Sequence, residues 1–283
     1  MNAPIGIFDS GIGGLTVAKA LVERLPRESL YYVGDTAHMP YGDKSVDSLK
    51  EYAAGISKRF VDAGCKAVVV ACNSVSSNAL DTVKAAMGPG VPVVDVVQPV
   101  VDWVAQHHLG MEVALVGTRA TVDSGVYQSK LAEVNVATKV RATPLLASAI
   151  EEGFHNGTIS EAVVNAYFAD QWTAGTTALI LACTHYPLAM DQIMAVLNES
   201  LTVVNGPAIV ADAVAEALAA VTVPSLPKAG FRLGIFSGRA LRGSSSVSTV
   251  TSPLRVLMVT GVISRLKSPC SVARVARARV SSA

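Results

Sequence analysis

Two short stretches, VVVACNS (68–74) and LILACTH (179–185), carry one local pattern twice, once in each half of the chain. Each is an apolar run that ends in a cysteine, Cys72 or Cys183, and continues into a small polar pair. A fully apolar run of this length predicts a parallel strand that is buried on both faces. Each cysteine then lies at the carboxyl end of such a strand, where open α/β sheets place their ligand sites.

Apolar runs of this kind alternate with helical patterns along most of the chain. The predicted strands are 5–8, 30–35, 67–72, 91–97, 111–118, 139–144, 177–183, 201–205 and 231–238. The cycle of strand and helix begins again near residue 99, so that the second half repeats the first in outline. Strands that alternate with helices predict βαβ units and parallel sheets. The sequence therefore predicts an α/β fold of two similar parallel-sheet domains that face each other, with the active site at their interface.

Composition limits the class of protein. With 283 residues and 51% hydrophobic content, the chain can bury a large core or two smaller ones. No stretch approaches the roughly 18 to 20 apolar residues of a membrane span, and the N-terminus has no signal-peptide pattern. We therefore expect a cytoplasmic protein without membrane contact. Its 4 cysteines are too few and too scattered for a disulfide framework or a zinc site, which predicts reduced thiols.

The charge is distributed unevenly. All 22 acidic residues lie within 1–216, whereas 10 of the 23 Lys and Arg residues lie within 217–283. A basic end is typical of an arm that contacts nucleic acid or a membrane surface. The alternative is that the chain from about 238 is a degenerate or out-of-frame end. The second interpretation is favoured, because Ser, Val and Arg recur there without helical or strand periodicity.

The paired cysteines predict acid–base chemistry. A thiol acts as a base only as its thiolate, which the positive end of a nearby helix dipole favours. His185 follows Cys183 closely, and Asp9 follows the first strand, so each is a candidate assistant to one thiol. Two thiols presented from two similar half-molecules suit a reaction that removes a proton from one face of a carbon and returns one to the other. The pattern predicts a two-base racemase or epimerase, with Cys65 and Cys270 as structural residues.

Small polar turns after the predicted strands are candidates for binding a carboxylate. They are DSGIGG (9–14), PYG (40–42), NS (73–74) and TH (184–185). Backbone amides at glycine turns and helix N-termini bind anions well. The first turn lacks the lysine of a Walker loop and the spacing of GxGxxG, which argues against nucleotide binding. No lysine stands beside either cysteine motif to suggest a Schiff base.

Several ordered motifs resemble those of the glutamate racemases, cofactor-independent enzymes that supply D-glutamate for bacterial peptidoglycan. The motifs are IGIFDSGIGGLTV (5–17), YVGDTAHMPYGDKS (32–45), VVACNS (69–74), VGTRATVDSGVY (116–127), EEG (151–153) and LILACTHYPL (179–188). The cysteine motifs alone also fit aspartate racemases, which remain an alternative. DSGIGGLTV and GDTAHMPYG are the segments that point to glutamate.

The resemblance implies roles for individual residues. Cys72 and Cys183 are implied as the two catalytic thiols, assisted by Asp9 and His185. A family acid near the site matches Glu152 or its neighbour Glu151, and the choice between them stays open. The implied substrate-binding residues are Asp9, Ser10, Tyr41, Gly42, Asn73, Ser74, Thr184 and His185. The resemblance implies no pyridoxal phosphate, metal or nucleotide.

The resemblance also implies a domain plan and a partner. Residues 1–97 and about 206–237 form the first domain, 98–205 form the second, and 238–283 are an aberrant basic tail for which disorder is one alternative. A homodimer is expected. Where the family usually has threonine, the chain has Ser74, which keeps the hydroxyl. A regulatory protein whose tail contacts nucleic acid or DNA gyrase is a rival hypothesis that no motif supports.

Overall fold

The computed structural model describes residues 3–154, 157–197 and 201–220 in full, together with the backbone of three later strands. Those strands are β9 (Phe231–Ile235), β10 (Val247–Val250) and β11 (Val256–Val259). β10 and β11 pair with each other in antiparallel fashion. The remainder of the predicted tail 238–283, including Cys270, lies outside the described residues.

The first sheet contains five parallel strands. Four of them are β1 (Ile5–Asp9), β2 (Leu30–Gly34), β3 (Ala67–Val70) and β4 (Val93–Asp95), and with β9 the order is β4-β3-β1-β2-β9. Its helices are α1 (Leu15–Arg24), α2 (Val46–Asp62), α3 (Asn73–Asn78), α4 (Leu80–Met87) and α11 (Gly206–Ala220). After the second sheet the chain returns to the first one and contributes the strand β9 and the helix α11. Val210 and Val214 of α11 belong to the same core cluster as Val17 and Leu21 of α1.

The second sheet contains four parallel strands. They are β5 (Glu112–Gly117), β6 (Ala137–Ala142), β7 (Ala178–Ala182) and β8 (Thr202–Val203), in the order β6-β5-β7-β8. Its helices are α5 (Gln98–His107), α6 (Arg119–Asp123), α7 (Val126–Glu133), α8 (Pro144–Glu151), α9 (Thr158–Phe168) and α10 (Met190–Val196).

The two sheets repeat one topology. Read from its other edge, the second sheet has the order β8-β7-β5-β6, which matches β4-β3-β1-β2 strand for strand. β3 and β7 are therefore equivalent strands, and each is followed by one of the paired cysteines. In both sheets the order of the strands reverses, between β1 and β3 in the first and between β5 and β7 in the second. Open α/β sheets bind ligands at such a position. The predicted fold class, two similar parallel-sheet α/β units, is confirmed.

Burial on both faces explains why the strands read as unbroken apolar runs. All four residues of β3 are buried, and two core clusters pack against opposite faces of the first sheet. Ile7 and Val69 belong to one cluster, whereas Phe8 and Val70 belong to the other. This alternation follows from the two-residue period of a strand, which points successive side chains to opposite faces.

The structure departs from the predicted elements in several places. The helical segment between β3 and β4 is divided into two helices, α3 and α4, at Ala79, whose backbone leaves the helical region with φ −141°. The helices α8 and α10 were not predicted. Among the described residues, no helix has the length and apolar character needed to cross a bilayer.

Candidate active site

Cys72 and Cys183 line the same cavity, which lies between the two sheets and has a volume of about 170 Å³. Both thiols are free and almost completely buried. Of the other residues predicted for the site, the cavity is also lined by Ser10, Tyr41, Gly42, Asn73, Ser74, Glu152, Thr184 and His185. The topology explains this meeting, because β3 and β7 end at the same interface. Asp9 lies beneath the wall rather than on it.

Cys72 stands at the N-cap position of α3, immediately after β3. Burial, together with the negative charge of Asp9, raises the pKa of Cys72 to about 12, although the Val75 backbone N–H and the Ser10 hydroxyl act in the opposite direction. A thiol with such a pKa keeps its proton near neutral pH. Cys72 is therefore a proton donor.

Cys183 is linked to a histidine and a carboxylate. Its Sγ lies 3.7 Å from Nδ1 of His185, and Nε2 of the same ring contacts Oε2 of Glu151. Burial lowers the pKa of His185, but hydrogen bonds to Cys183 and Glu151 and the charge of Asp9 outweigh it and hold that pKa well above its ordinary value. His185 is therefore protonated near neutral pH and can exchange a proton with the sulfur of Cys183.

Asp9 joins the glycine turn after β1 to the second half of the molecule. Its Oδ2 accepts hydrogen bonds from the backbone N–H groups of Gly11 (3.2 Å) and Gly14 (2.9 Å), and its Oδ1 accepts one from the Thr184 hydroxyl at 3.2 Å. Burial raises the pKa of Asp9, while His185 and these N–H groups oppose the rise. The carboxyl thus holds the turn against the segment that follows Cys183.

The glycine turn packs closely against that segment. A Cβ atom added to Gly13 would lie 2.6 Å from both Nδ1 of His185 and Oγ1 of Thr184. Real Cβ atoms do not approach other atoms so closely, so only glycine fits at this position without displacing the histidine. The requirement for glycine comes from the second half of the molecule rather than from the turn itself.

Of the two neighbouring glutamates, Glu151 is the one that contacts His185. Oε1 of Glu151 also accepts a hydrogen bond from the Ile12 backbone N–H at 3.3 Å, which again joins the two halves. Glu152 is the C-cap residue of α8 and lines the cavity.

The wall of hydroxyl groups includes residues that the sequence did not single out. Thr118 lines the cavity directly after β5, and its Oγ1 lies 3.0 Å from Oγ of Ser74 and 3.1 Å from Oγ1 of Thr121. Because β5 is the equivalent of β1, Thr118 occupies the position of Ser10 in the second half. The repeat itself was the signal that could have found it.

Tyr41 lines the cavity with its hydroxyl turned away to a carboxylate. The hydroxyl donates to Oδ2 of Asp35 at 2.5 Å, and Nδ1 of His38 lies 2.8 Å from the same oxygen. Burial, together with Asp35, raises the pKa of Tyr41. The backbone N–H of Asp35 in turn donates to the Asp9 carbonyl. Asp35, which the sequence analysis missed, thus anchors the wall formed by residues 39–43.

We expect the reactivity of Cys72 to follow its raised pKa. The rate of alkylation of Cys72 by iodoacetamide should rise about tenfold per pH unit between pH 7 and 10, because the thiolate fraction grows up to a pKa of about 12. Mass spectrometry of the modified peptides measures this rate. Cys65 is the control: its pKa is also raised to about 12, but it does not line the cavity and should stay unmodified. A plateau for Cys72 below pH 9 would contradict the expectation.

The described residues contain no group of three or more His, Cys, Asp or Glu side chains arranged to hold a metal ion. The cationic side chain that lines the cavity within this part of the chain is His185. The remaining polar lining consists of hydroxyls, one amide and carboxylates. Hydroxyl and amide groups of this kind can donate hydrogen bonds to a carboxylate.

Comparisons with known proteins agree with this arrangement. Residues 5–214 match the family model described as Asp/Glu/Hydantoin racemase. A glutamate racemase from Beutenbergia cavernae is 42% identical over 206 residues, which cover 72% of this chain and 70% of that protein. The crystal structure of glutamate racemase from Francisella tularensis in complex with D-glutamate superposes with a TM-score of 0.74 at 34% identity, covering 82% of this chain and 88% of that one. Glutamate racemase from Bacillus anthracis has a TM-score of 0.77 at 27% identity, with coverages of 83% and 88%.

The matched segment includes both cysteine motifs, the glycine turn and the cavity between the sheets. The family model covers most of the chain, and the curated relative exceeds 30% identity over more than two thirds of its own length. The predicted resemblance is confirmed, and with it the prediction that the chain is a racemase, an enzyme of the isomerase class. The chain belongs to the Asp/Glu/Hydantoin racemase family.

Proposed function

We propose that this protein interconverts L-glutamate and D-glutamate by a two-base mechanism in which Cys72 and Cys183 are the acid and base. The observation that carries the proposal is that two buried thiols, one from each repeated half, line one cavity. Racemization needs one group to take the Cα proton and a second group to deliver a proton to the opposite face. Thiols that arrive from two sides of an interface suit this division of labour.

The two thiols differ in their surroundings, which supports distinct resting roles. Cys72 holds its proton and is the acid of the free enzyme, since its pKa is about 12. Cys183 is beside His185, which is protonated and paired with Glu151. We propose that His185 assists Cys183, that Asp9 assists Cys72, and that Glu151 rather than Glu152 is the acid that supports His185.

Substrate binding is assigned to neutral donors. Hydroxyls of Ser10, Ser74 and Thr184 and the amide of Asn73 line the cavity and can bind carboxylates. Tyr41 and Gly42 are proposed to contribute ring and backbone surface, because the Tyr41 hydroxyl is bound to Asp35. Glutamate is favoured as the substrate because the curated relatives are named glutamate racemases and one matched structure is a complex with D-glutamate.

No cofactor is assigned to the reaction. One thiol gains the Cα proton and the other loses a proton in each turnover, so the net charge of the enzyme is unchanged and proton transfer alone balances the step. We accordingly propose a reaction without pyridoxal phosphate, metal or nucleotide.

The proposal is tested by incubating the purified protein with L-glutamate in D₂O and resolving the enantiomers. We expect D-glutamate that carries deuterium at Cα, without any added cofactor. L-aspartate, assayed in parallel, distinguishes an aspartate-specific relative. If folded protein incorporates deuterium into neither glutamate nor aspartate, the proposed function is refuted.

The physiological role follows from the product. We propose that the D-glutamate enters peptidoglycan synthesis in the cytoplasm, since the family resemblance implies this supply. Growth of a D-glutamate auxotroph on medium without D-glutamate, once the chain is expressed, tests the role. A failure to grow despite racemase activity in the extract would argue against it.

We also propose a homodimer, and a domain division into 1–97 with about 206–237, and 98–205. The return of β9 and α11 to the first sheet supports this division. Light scattering of the purified chain tests the dimer. Contact of the 238–283 segment with nucleic acid or DNA gyrase stays a rival hypothesis that no motif supports, and most of this segment lies outside the described residues.

A further inference from the structure

Among the described residues, three polar contacts join α3, the helix that carries part of the first cysteine motif, to the other half. All three reach the segment 118–127, which follows β5. They are Ser74 Oγ to Thr118 Oγ1 (3.0 Å), Asn78 Nδ2 to the Ala120 carbonyl (2.8 Å), and the Tyr127 hydroxyl to Asn73 Oδ1 (2.9 Å). The Ser74 and Asn78 contacts position α3 relative to the second half. The Tyr127 contact instead holds the side chain of Asn73, which lines the cavity.

Tyr127 is held rigidly. It is 1% exposed, and its ring packs in a core cluster with Val97 and Leu131. Its hydroxyl lies 2.9 Å from Asn73 Oδ1 and 3.2 Å from the Val96 carbonyl. A phenol carries one proton, and the Asn73 contact is the shorter of the two. The hydroxyl therefore serves as a fixed donor directed at the Asn73 amide.

The orientation of that amide decides what Asn73 can bind. A carboxamide presents an acceptor oxygen at one end and an NH₂ donor at the other. Once Oδ1 is held by Tyr127, the Nδ2 group is the end left for the cavity that Asn73 lines. An NH₂ group recognises a carboxylate, whereas the opposite orientation would offer an oxygen and recognise an ammonium.

We propose that Tyr127 is a positioning residue of the site, which fixes the Asn73 amide from across the domain interface so that its NH₂ group binds a substrate carboxylate. The inference rests on the proposed function, because the carboxylate is that of the amino-acid substrate. Tyr127 does not line the cavity, so its proposed effect on the substrate passes through Asn73.

Replacement of the tyrosine by phenylalanine tests the inference. Tyr127→Phe keeps the packed ring and removes the donor, so the Asn73 amide loses its preferred orientation. We expect KM for both enantiomers to rise about tenfold, equivalent to about 1.4 kcal/mol, while kcat stays within about twofold of wild type. The unfolding temperature should fall modestly, because Asn73 Oδ1 and the Val96 carbonyl lose this buried donor, while the Ser74 and Asn78 contacts still hold α3.

A double-mutant cycle with Asn73→Ala separates positioning from a general structural effect. If Tyr127 acts through the amide, Tyr127→Phe should have no further effect on KM in the Asn73→Ala background. An equal increase in both backgrounds, or an unchanged KM in Tyr127→Phe alone, would overturn the inference.

Asn73→Asp provides a second route should Tyr127→Phe not fold. Aspartate still accepts the Tyr127 hydrogen bond but has no donor for a carboxylate, so we expect KM to rise by more than in Asn73→Ala. A wild-type KM for this variant would also overturn the inference. The wild-type protein distinguishes failure of the proposed function from failure of this inference. If folded wild type does not racemize glutamate, the proposed function is refuted. If wild type is active but the variants keep its KM, only the role of Tyr127 is refuted.

Discussion

Replacement of either cavity cysteine by alanine is expected to abolish racemization. A general acid–base group contributes about 10² to 10⁴ in rate, and a two-base reaction cannot proceed without both groups. We therefore expect Cys72→Ala and Cys183→Ala each to lower kcat for interconversion by at least about 10³, in both directions. Polarimetry or chiral chromatography of the product measures the loss.

Isotope exchange makes this expectation sharper than a loss of activity. An enzyme that keeps one thiol can still remove a Cα proton on one face and return a deuteron to the same face. Each single variant should thus exchange deuterium into only one enantiomer without inverting it, and the two variants should choose opposite enantiomers. Exchange into both enantiomers by either variant would contradict the assignment of one thiol to each face.

Cys65→Ala is the matched control for these variants. Cys65 is buried like the other two thiols and shares a core cluster with Cys72, but it does not line the cavity. We expect full racemase activity per folded molecule, with a lower unfolding temperature because a buried side chain is shortened. If Cys65→Ala lost as much activity as Cys72→Ala, the loss would follow from removing any buried cysteine and not from removing a thiol of the cavity.

The second large effect is expected for Glu151→Gln. Glu151 is among the groups that raise the pKa of His185, so its neutral analogue should lower that pKa. We expect kcat to fall by about 10- to 100-fold, less than the full contribution of an acid–base group. In the pH profile of kcat, the limb that falls with rising pH should move to lower pH, because the His185 imidazolium then loses its proton at lower pH.

The same pair should also affect stability in a pH-dependent way. A histidine whose pKa is raised by folding stabilises the native state below its unfolded pKa of about 6.5, and this contribution is lost as pH rises through the folded pKa. Glu151→Gln should therefore lower the unfolding temperature more at pH 6 than at high pH. Thermal unfolding followed by circular dichroism over this range measures the difference.

Glu152→Gln is the control for the carboxylate assignment. Glu152 lines the cavity next to Glu151 in sequence, but His185 contacts Glu151. The pH profile of Glu152→Gln should keep its falling limb where wild type has it, whatever the change in KM. A shift of that limb in Glu152→Gln, with none in Glu151→Gln, would reverse the assignment.

Local pattern was sufficient to predict most of the fold and the two thiols. Buried parallel strands are apolar along their whole length, so runs such as ALILA can be recognised as strands from the sequence alone. The carboxyl ends of such strands are ligand sites for a topological reason, which is why Cys72 and Cys183 could be placed together from their repeated setting alone. The break at Ala79 was not predicted, because α3 and α4 are both helical and the interruption involves one residue.

The sequence by itself determined most of the strands, their repetition in two halves, and which strand ends carry the thiols, because these properties depend on neighbours along the chain. Tertiary structure alone decided the partners of each side chain. Successive helical residues point about 100° apart, so only the orientation of α8 directs Glu151 rather than Glu152 at His185. Likewise, the pairing of Tyr127 with Asn73 joins residues that no local spacing connects, and it exists only because the two halves pack against each other.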